Sequence, residues 1–438
     1  MLDLKLDVNN YFYIYLDKSN DTMLSLFLTM IELQVTNDAT KELTNDMTIH
    51  REYERTHPWL SFNVDLRNAP ASFWVTLGEC QSKCEHLAGV PLRPDIAKIL
   101  HQMYLAKGVW GTTSIEGNTL SEAEVLKHVE GKLEVPPSKE YLKQEVDNVI
   151  QECNRMLATI ARRDPLVLSL DRIKEINRAV LSGLTLADNV VPGEIRHHSV
   201  GVMGYRGAPY QDCEYLFSRL CSWLNGSDFE PTAGLGVVHM AILKAVVAHL
   251  YVEWIHGFGD GNGRTGRLIE VQILLTAGVP SPACQLLSNH YNQTRNEYLS
   301  QLKVASASGG DVVPFITYAL NGYVDGLRDQ LTYVRKLQMD VAWINYVHDV
   351  FRDSKTSASR RQKALLLDIF DREEPVPISR IEQLSPRLAK EYAGMHPITP
   401  SRDVDTLEKK KLLLRKEEGV SANRALIAQF LPIKASVN

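Results

Sequence analysis

From Trp74 onward, apolar residues recur at the spacing of one helical face. Ile96, Ile99, Leu100, Met103 and Tyr104 form one such stretch, and Ile173, Ile176, Val180 and Leu181 another. Long helices with short breaks are expected up to about residue 350. From Val237 to Ile255 the run is apolar almost throughout, which predicts a helix buried on all sides. A further apolar helix follows through Leu268, Ile269, Ile273 and Leu274. The period changes between Pro192 and Tyr210, where Gly193, Gly201, Gly204 and Gly207 punctuate a Val200, Val202 alternation. That segment predicts a β-hairpin or flap.

Both ends read differently. In residues 1–55, Tyr11, Tyr13 and Tyr15 alternate with Phe12, Ile14 and Leu16, followed by an apolar run from Met23 to Val35 and a polar stretch. This is expected to be a weakly specified extension. After the polar stretch Asp353 to Arg361 the pattern predicts short helices over Ala364–Phe370 and Leu384–Met395. A third should begin with Thr399 as N-cap and Pro400 as first residue and run through Val404 and Leu407. Leu412–Arg415 and Ala425–Phe430, on either side of a Glu417, Glu418, Gly419 turn, suit a two-stranded wing. Helix, helix, capped helix, hairpin is the order of a winged helix-turn-helix domain. The expected units are therefore an extension over 1–55, a helical domain over 56–350 and a winged helix-turn-helix over 360–438.

A chain of 438 residues with 44% hydrophobic and 23% charged residues can build large cores, which excludes a disordered chain and a single small module. The 48 basic and 53 acidic residues leave a net charge of −5, so no global basic field draws nucleic acid to the whole molecule. Six cysteines without a C-x-x-C pair or zinc-finger spacing point to reduced thiols, and the expected compartment is the cytoplasm. The Met23–Val35 run is shorter than the roughly 20 residues of a spanning helix. The acidic residues before it do not suit a secretory signal. No membrane partner is expected.

The chemistry concentrates in His256-Gly257-Phe258-Gly259-Asp260-Gly261-Asn262-Gly263-Arg264-Thr265-Gly266-Arg267, in the turn between the two apolar helices. A glycine-rich turn into a helix presents backbone N–H groups and a positive dipole end, which suits a phosphate. Arg264 and Arg267, three apart, add cations for phosphate oxygens. Asp260 would repel that anion unless a divalent cation lay between them, so it is the expected Mg²⁺ ligand. His256 is the group here whose ordinary pKa suits a general base near neutral pH.

The pattern H-x-F-x-D-G-N-G-R-x-x-R resembles the signature of Fic-domain proteins, which typically transfer AMP from ATP to a protein hydroxyl. The resemblance covers about residues 60–340. It implies a mainly α fold: a Fic-type helical bundle with a β-hairpin flap, to which a winged-helix tail is a common companion. It also implies ATP as substrate with Mg²⁺, His256 as base, Asp260 as metal ligand, and Gly261, Asn262, Gly263, Arg264 and Arg267 around the phosphates, Arg267 at the γ-phosphate. Gly257 replaces the family's usual proline and would loosen the loop. Thr112-Thr113-Ser114-Ile115-Glu116-Gly117-Asn118 is similar to the Fic inhibitory motif, in which Glu116 pairs with Arg267 in place of the γ-phosphate; the alternative is an exposed glutamate in a helix N-terminal turn. The segment from Pro192-Gly193-Glu194-Ile195-Arg196 onward is similar to the Fic flap. There Ser199, Val200, Gly201 and Val202 would dock a target by strand addition, or the hairpin merely covers the core. Asn289, Tyr291 and Tyr298 fall where the family places adenine contacts, and suit core packing equally.

The implied activity is an autoinhibited protein adenylyltransferase acting on a target protein or on itself. Alternatives are removal of AMP or transfer from another nucleotide on the same site, and a transcriptional regulator. Lys409, Lys410, Lys411, Arg415 and Lys416 cluster after the third tail helix, and leave DNA, a protein partner or a solvated face open. A homodimer is also left open.

Overall fold

The computed structural model describes residues 51–202, 204–372 and 374–428. Most of the extension, including the Tyr11–Leu16 alternation and Met23–Val35, lies outside the described residues. The chain divides into two compact units, Met1–Leu60 and Ser61–Asn438. In the first, a short helix α1 (Glu52–Thr56) carries Glu52 and Glu54 at its start and Arg55 at its end, in line with its dipole.

The second unit starts with α2 (Ala71–Gly89), α3 (Pro94–Ile115), α4 (Glu122–Val129), α5 (Glu140–Ala161) and α6 (Leu170–Val180). Ser121 and Glu124 close a capping box on α4, and Ser169 accepts from Arg172 N at the start of α6. A hairpin of two-residue strands, β1 (Gly201–Val202) and β2 (Tyr205–Arg206), pairs antiparallel with Gly201 opposite Arg206. Next come α7 (Tyr210–Leu224), α8 (Val237–Ile255) and α9 (Asn262–Thr276). The short helices α10 (Ser281–Cys284), α11 (Leu286–Gln293) and α12 (Arg295–Ala307) lead to the long α13 (Val313–Val350).

The centre of this unit is α8, which buries residues around its whole circumference and packs chiefly along α9. By length and composition α8 could cross a membrane, but 83% of that window is buried in the protein, as in the core helix of a bundle. The helix α3 lies close against α11 because Gly108 and Gly111 lack side chains. A Cβ on Gly111 would sit 2.7 Å from the Ser288 carbonyl oxygen. This approach fixes the last turns of α3, where Thr112 and Glu116 lie.

Beyond α13 come α14 (Ser357–Phe370), a 3₁₀ turn over Ile378–Gln383, α15 (Pro386–Tyr392), α16 (Thr399–Lys409), the strands β3 (Leu413–Lys416) and β4 (Gly419–Ala422), and a last helical turn α17 (Ala425–Ala428). Their core joins Leu365, Ile369, Leu388, Val404, Leu407 and Val420 to Trp343, Val347 and Phe351, so the end of α13 belongs to it. Three expectations need correction here. The second helix is Pro386–Tyr392, shortened by the Ser385 cap on Leu388 N and by left-handed Gly394 (φ +72°). Thr399 is already helical rather than the N-cap, because its N–H closes a turn on His396 O at 2.8 Å. The second strand is Gly419–Ala422, fixed by the Leu413–Ala422 register, whereas Ala425–Ala428 is helical and Phe430 lies outside the described residues.

Candidate active site

Helix α8 ends at His256, whose backbone is left-handed at φ 47° and ψ 51°. The carbonyls at this end would be orphaned, and the flap segment satisfies them. Ala208 N donates to Ile255 O at 3.2 Å, Tyr205 OH to Trp254 O at 2.7 Å, and Arg196 Nε to His256 O at 2.7 Å. Arg196 also donates to Ala208 O and, at 2.6 Å, to His198 O. The buried Arg196 thus ties the helix end to both sides of the flap, alongside Tyr205 and Ala208. At Gly257 a Cβ would lie 2.4 Å from the Phe217 ring, so any side chain there requires that ring to shift. Phe258 points inward and stacks on Phe217, with centroids 5.4 Å apart.

The turn itself is braced from inside. Asn262 accepts from Phe258 N and donates to Phe258 O, both at 2.9 Å. Its side-chain amide thus braces the loop's shape. Asn177 on α6 donates to Asp260 O at 2.9 Å and to Thr265 Oγ1 at 3.3 Å, and accepts from Gly193 N at 2.9 Å. This fully buried side chain ties loop, helix and flap together. Gly261 takes φ 76° to turn the chain into α9, and the first backbone bond of that helix is Thr265 N to Gly261 O at 2.9 Å. The N–H groups of Asn262, Gly263 and Arg264 have no acceptor within the helix.

Against this first turn lies Glu116. A Cβ on Gly263 would come within 2.2 Å of Glu116 Oε1 and 3.0 Å of both terminal nitrogens of Arg267, so the ion pair occupies the space above a glycine. Arg267, 1% exposed, donates through Nη2 to Glu116 Oε1, and through Nε to Thr112 Oγ1 at 2.7 Å. Burial works against the Arg267 charge, but Glu116, with Tyr298 and Glu253, outweighs it and holds the pKa above its ordinary value. Burial likewise pushes the Glu116 carboxyl up, and the Arg267 charge and hydrogen bond, with Arg264 and His256, bring it below the usual range. Glu116 caps the C-terminus of α3, not a helix N-terminal turn. A carboxylate at that negative dipole end is unfavourable by itself, so its placement depends on Arg267.

Arg264, also buried, meets Asp260 Oδ1 at 3.2 Å and Glu145 Oε1 at 3.5 Å, and its Nε has no partner. Glu145 Oε2 in turn accepts from Asn118, the last residue of the upstream motif, at 2.8 Å. Asp260 is half-exposed, and its Oδ1 accepts from Gly261 N and Arg264. Among the described residues no group of three or more His, Cys, Asp and Glu side chains could hold a metal ion alone. One carboxylate completed by phosphate oxygens and water is how Mg²⁺ is commonly held, and Asp260 fits that mode. His256 is driven down to about 4, first by burial and further by Arg196, against support from the Glu253 main chain, Glu116 and Asp260. At neutral pH it is an uncharged imidazole.

The structure therefore brings His256, Asp260, Gly261, Gly263, Arg264, Arg267 and Glu116 to one place. In the flap, Ser199 is exposed and Val200 O accepts from Gly207 N at 3.2 Å, next to β1. The adenine expectation needs correction for two of its residues. Tyr291 and Tyr298 are 0% and 2% exposed, bonded to Glu270 Oε1 and His249 Nε2 respectively, and stack on each other with centroids 4.8 Å apart. They are core. Asn289 lines a different cavity of about 450 Å³ with Tyr104, Lys107, Gln293 and Asp325. Sequence reasoning missed Asn177, Glu145 and Glu253. For Glu253 the three-residue spacing to His256 on one helix was a usable signal; the other two reach the site only through the fold.

Residues 167–274 match the family model described as Fic/DOC family. The chain is 30% identical over 210 residues to the protein adenylyltransferase Fic of Culex quinquefasciatus, which covers 48% of this chain and 38% of that protein. It is 31% identical over 213 residues to the protein adenylyltransferase fic-1 of Caenorhabditis elegans, with the same coverages. The chain thus spans well under half the length of these curated relatives. Among solved structures, a Fic family protein from Desulfovibrio desulfuricans superposes with a TM-score of 0.50 at 18% identity, covering 81% of this chain and 94% of that one. That likeness concerns the fold. With the loop, the two arginines and the helical frame in place, residues 167–274 carry a Fic domain.

Proposed function

We propose that the protein is an autoinhibited adenylyltransferase that transfers AMP from ATP to a hydroxyl of a target protein or of itself. One observation carries this reading: a carboxylate, Glu116, sits on the first turn of α9 between Gly263 and the buried Arg267. A site that holds an anion so closely suits a phosphate when the carboxylate is withdrawn. The unpartnered Nε of Arg264 supports the same ligand, since a buried donor without an acceptor is costly. Asp260 would hold Mg²⁺, which supplies charge neutralisation for the phosphates. The N–H groups of Gly263 and Arg264 and the two guanidinium groups orient the triphosphate. Neutral His256 accepts the proton of the incoming hydroxyl. The flap residues Ser199 to Val202 would set the target's position, supported by the attachment of the flanking Arg196, Tyr205 and Ala208 to the helix end that carries His256.

The tail reads as a winged helix-turn-helix, supported by the order of α14, α15, α16 and the β3–β4 hairpin around one core. DNA contact through its basic cluster is weakened, because Arg415 is paired with Asp405 and Glu408, and Lys410 lies over the Phe351 ring at 5.2 Å. The exposed Met395, Ile398 and Leu414 favour a protein partner for this module instead. A cytoplasmic site of action fits six free, buried cysteines.

The test is transfer of radiolabelled AMP by the Glu116→Gly protein, alone and with His256→Ala or Asp260→Ala, with and without Mg²⁺. Loss of a general base typically costs about 10² to 10⁴ in rate. Full labelling by the His256→Ala form, or no labelling by any form on any lysate protein, rejects the proposal.

A further inference from the structure

Arg264 is one of the two guanidinium groups assigned to the triphosphate, and one edge of it is only half used. The residue is 4% exposed, and its Nε has no partner. Nε and Nη2 project from one side of the planar group as a fork that fits two oxygens of a phosphate, while Nη1 lies on the other side. The two carboxylates paired with Arg264 divide between these sides: Asp260 Oδ1 stands 3.2 Å from Nη2, and Glu145 Oε1 3.5 Å from Nη1. Glu145, on α5, is held in turn through its other oxygen. Its Oε2 accepts from Asn118 Nδ2 at 2.8 Å, and the same nitrogen donates to Leu142 O at 2.9 Å. Asn118 Oδ1 accepts from Leu120 N at 3.0 Å, and Asn118 N donates to Thr113 O at 3.1 Å. Every polar group of this buried asparagine's side chain is therefore engaged, and the Glu145 rotamer is restricted before any ligand arrives.

We propose that Glu145 is a positioning residue for the transfer reaction: from its seat on Asn118 it holds Arg264 by Nη1 and keeps the Nε–Nη2 edge turned toward the phosphates. This rests on the adenylyltransferase reading. Glu145 pairs with the far side of the guanidinium, so it orients the group without competing for the fork that a phosphate needs. Without it, Asp260 is the remaining ion-pair partner of Arg264. The guanidinium can then turn its whole fork onto Asp260, which closes the phosphate edge and takes up the carboxylate assigned to the metal in one movement. Asn118 is fixed by its own bonds to Leu142, Leu120 and Thr113 and not by Glu116, so replacing Glu116 leaves the support in place.

The experiment is a double-mutant cycle on the full chain carrying Glu116→Gly. ATP binding is measured by calorimetry in that parent, with Glu145→Gln, with Arg264→Ala, and with both. Glu145→Gln should weaken ATP binding about 10-fold, the scale of a hydrogen bond to a charged group. On the Arg264→Ala form the same change should add nothing, because Glu145 acts through the arginine. An equal loss on both backgrounds overturns the proposal, since a merely structural role for Glu145 would weaken both alike; unaltered affinity in the Glu145→Gln form overturns it as well. Nitrogen NMR of the Arg264 guanidinium, identified by its loss in Arg264→Ala, gives a readout that needs neither ATP nor activity. Faster rotation about its Cζ–Nη bonds in Glu145→Gln supports the positioning role, and unchanged rotation overturns it. Failure of the Glu116→Gly parent to transfer AMP, by contrast, rejects the adenylyltransferase reading, and the NMR comparison still decides whether Glu145 holds Arg264.

Discussion

Replacing Glu116 by glycine removes the one carboxylate on Arg267 Nη2 while leaving that guanidinium held by Thr112 through Oγ1 at 2.7 Å and the carbonyl at 3.1 Å. The magnitude follows from what the ion pair is worth against an incoming phosphate. Arg267 is buried, but the Glu116 side chain is 34% exposed, so solvent screens part of the attraction. A hydrogen bond to a charged group in such a setting contributes about 1.5 to 3 kcal/mol. At about 1.4 kcal/mol per tenfold, the reactive ATP pose should gain roughly 10- to 150-fold in occupancy. The assay is incorporation of labelled AMP by the parent, the Glu116→Gly form, and the form with Arg267→Ala added, at equal concentration. The double form should lose the gain, because the group freed by the first change is gone. A Glu116→Gly protein no more active than the parent refutes inhibition through this contact. An active double form refutes Arg267 as the group that is blocked.

Gly263→Ala should displace Glu116 yet fail to activate, since its methyl group, 2.2 Å from Oε1, fills the anion's own place; ATP binding at least about 10-fold weaker is expected by calorimetry. Stability should respond to pH through Glu253, whose carboxyl is raised from 4.5 to about 7, so its contribution is present below pH 4.5 and lost as pH rises through 7. Glu253→Gln removes that loss, and its melting temperature relative to the parent should rise between pH 5 and pH 8; a constant difference counts against the buried-acid assignment. In the tail, Asp403 accepts from Arg361 Nε at 2.5 Å, Gln362 at 2.9 Å and Tyr392 at 3.1 Å. Asp403→Ala leaves a buried arginine unpaired and should destabilise the tail by about 3 to 5 kcal/mol, seen as faster hydrogen exchange over 357–422 without change in α8 and α9.

The chemistry of the loop was legible because it is local. His256 through Arg267 are contiguous, and a glycine-rich turn between two apolar helices dictates where N–H groups and side-chain cations must gather. The helical frame was legible for the same reason, as periodicity and caps act over a few residues. Boundaries in the tail shifted where a competing local bond prevailed: the Thr399 N–H closes on His396, and the wing's second strand starts as soon as Gly419 turns the chain. Long-range partners were another matter. The Arg267–Glu116 pair spans 151 positions, Arg264–Glu145 spans 119 and Asn177–Asp260 spans 83. The upstream motif suggested only the first, by resemblance. No pattern along the chain distinguishes Tyr291 and Tyr298 as core from Tyr side chains lining a pocket, because burial is decided by which helix covers them. The sequence by itself determined the elements and the reactive groups, since backbone geometry and side-chain chemistry are properties of neighbours. The tertiary structure decided which charge faces which, because electrostatic pairing depends on distance in space, and packing alone sets that distance.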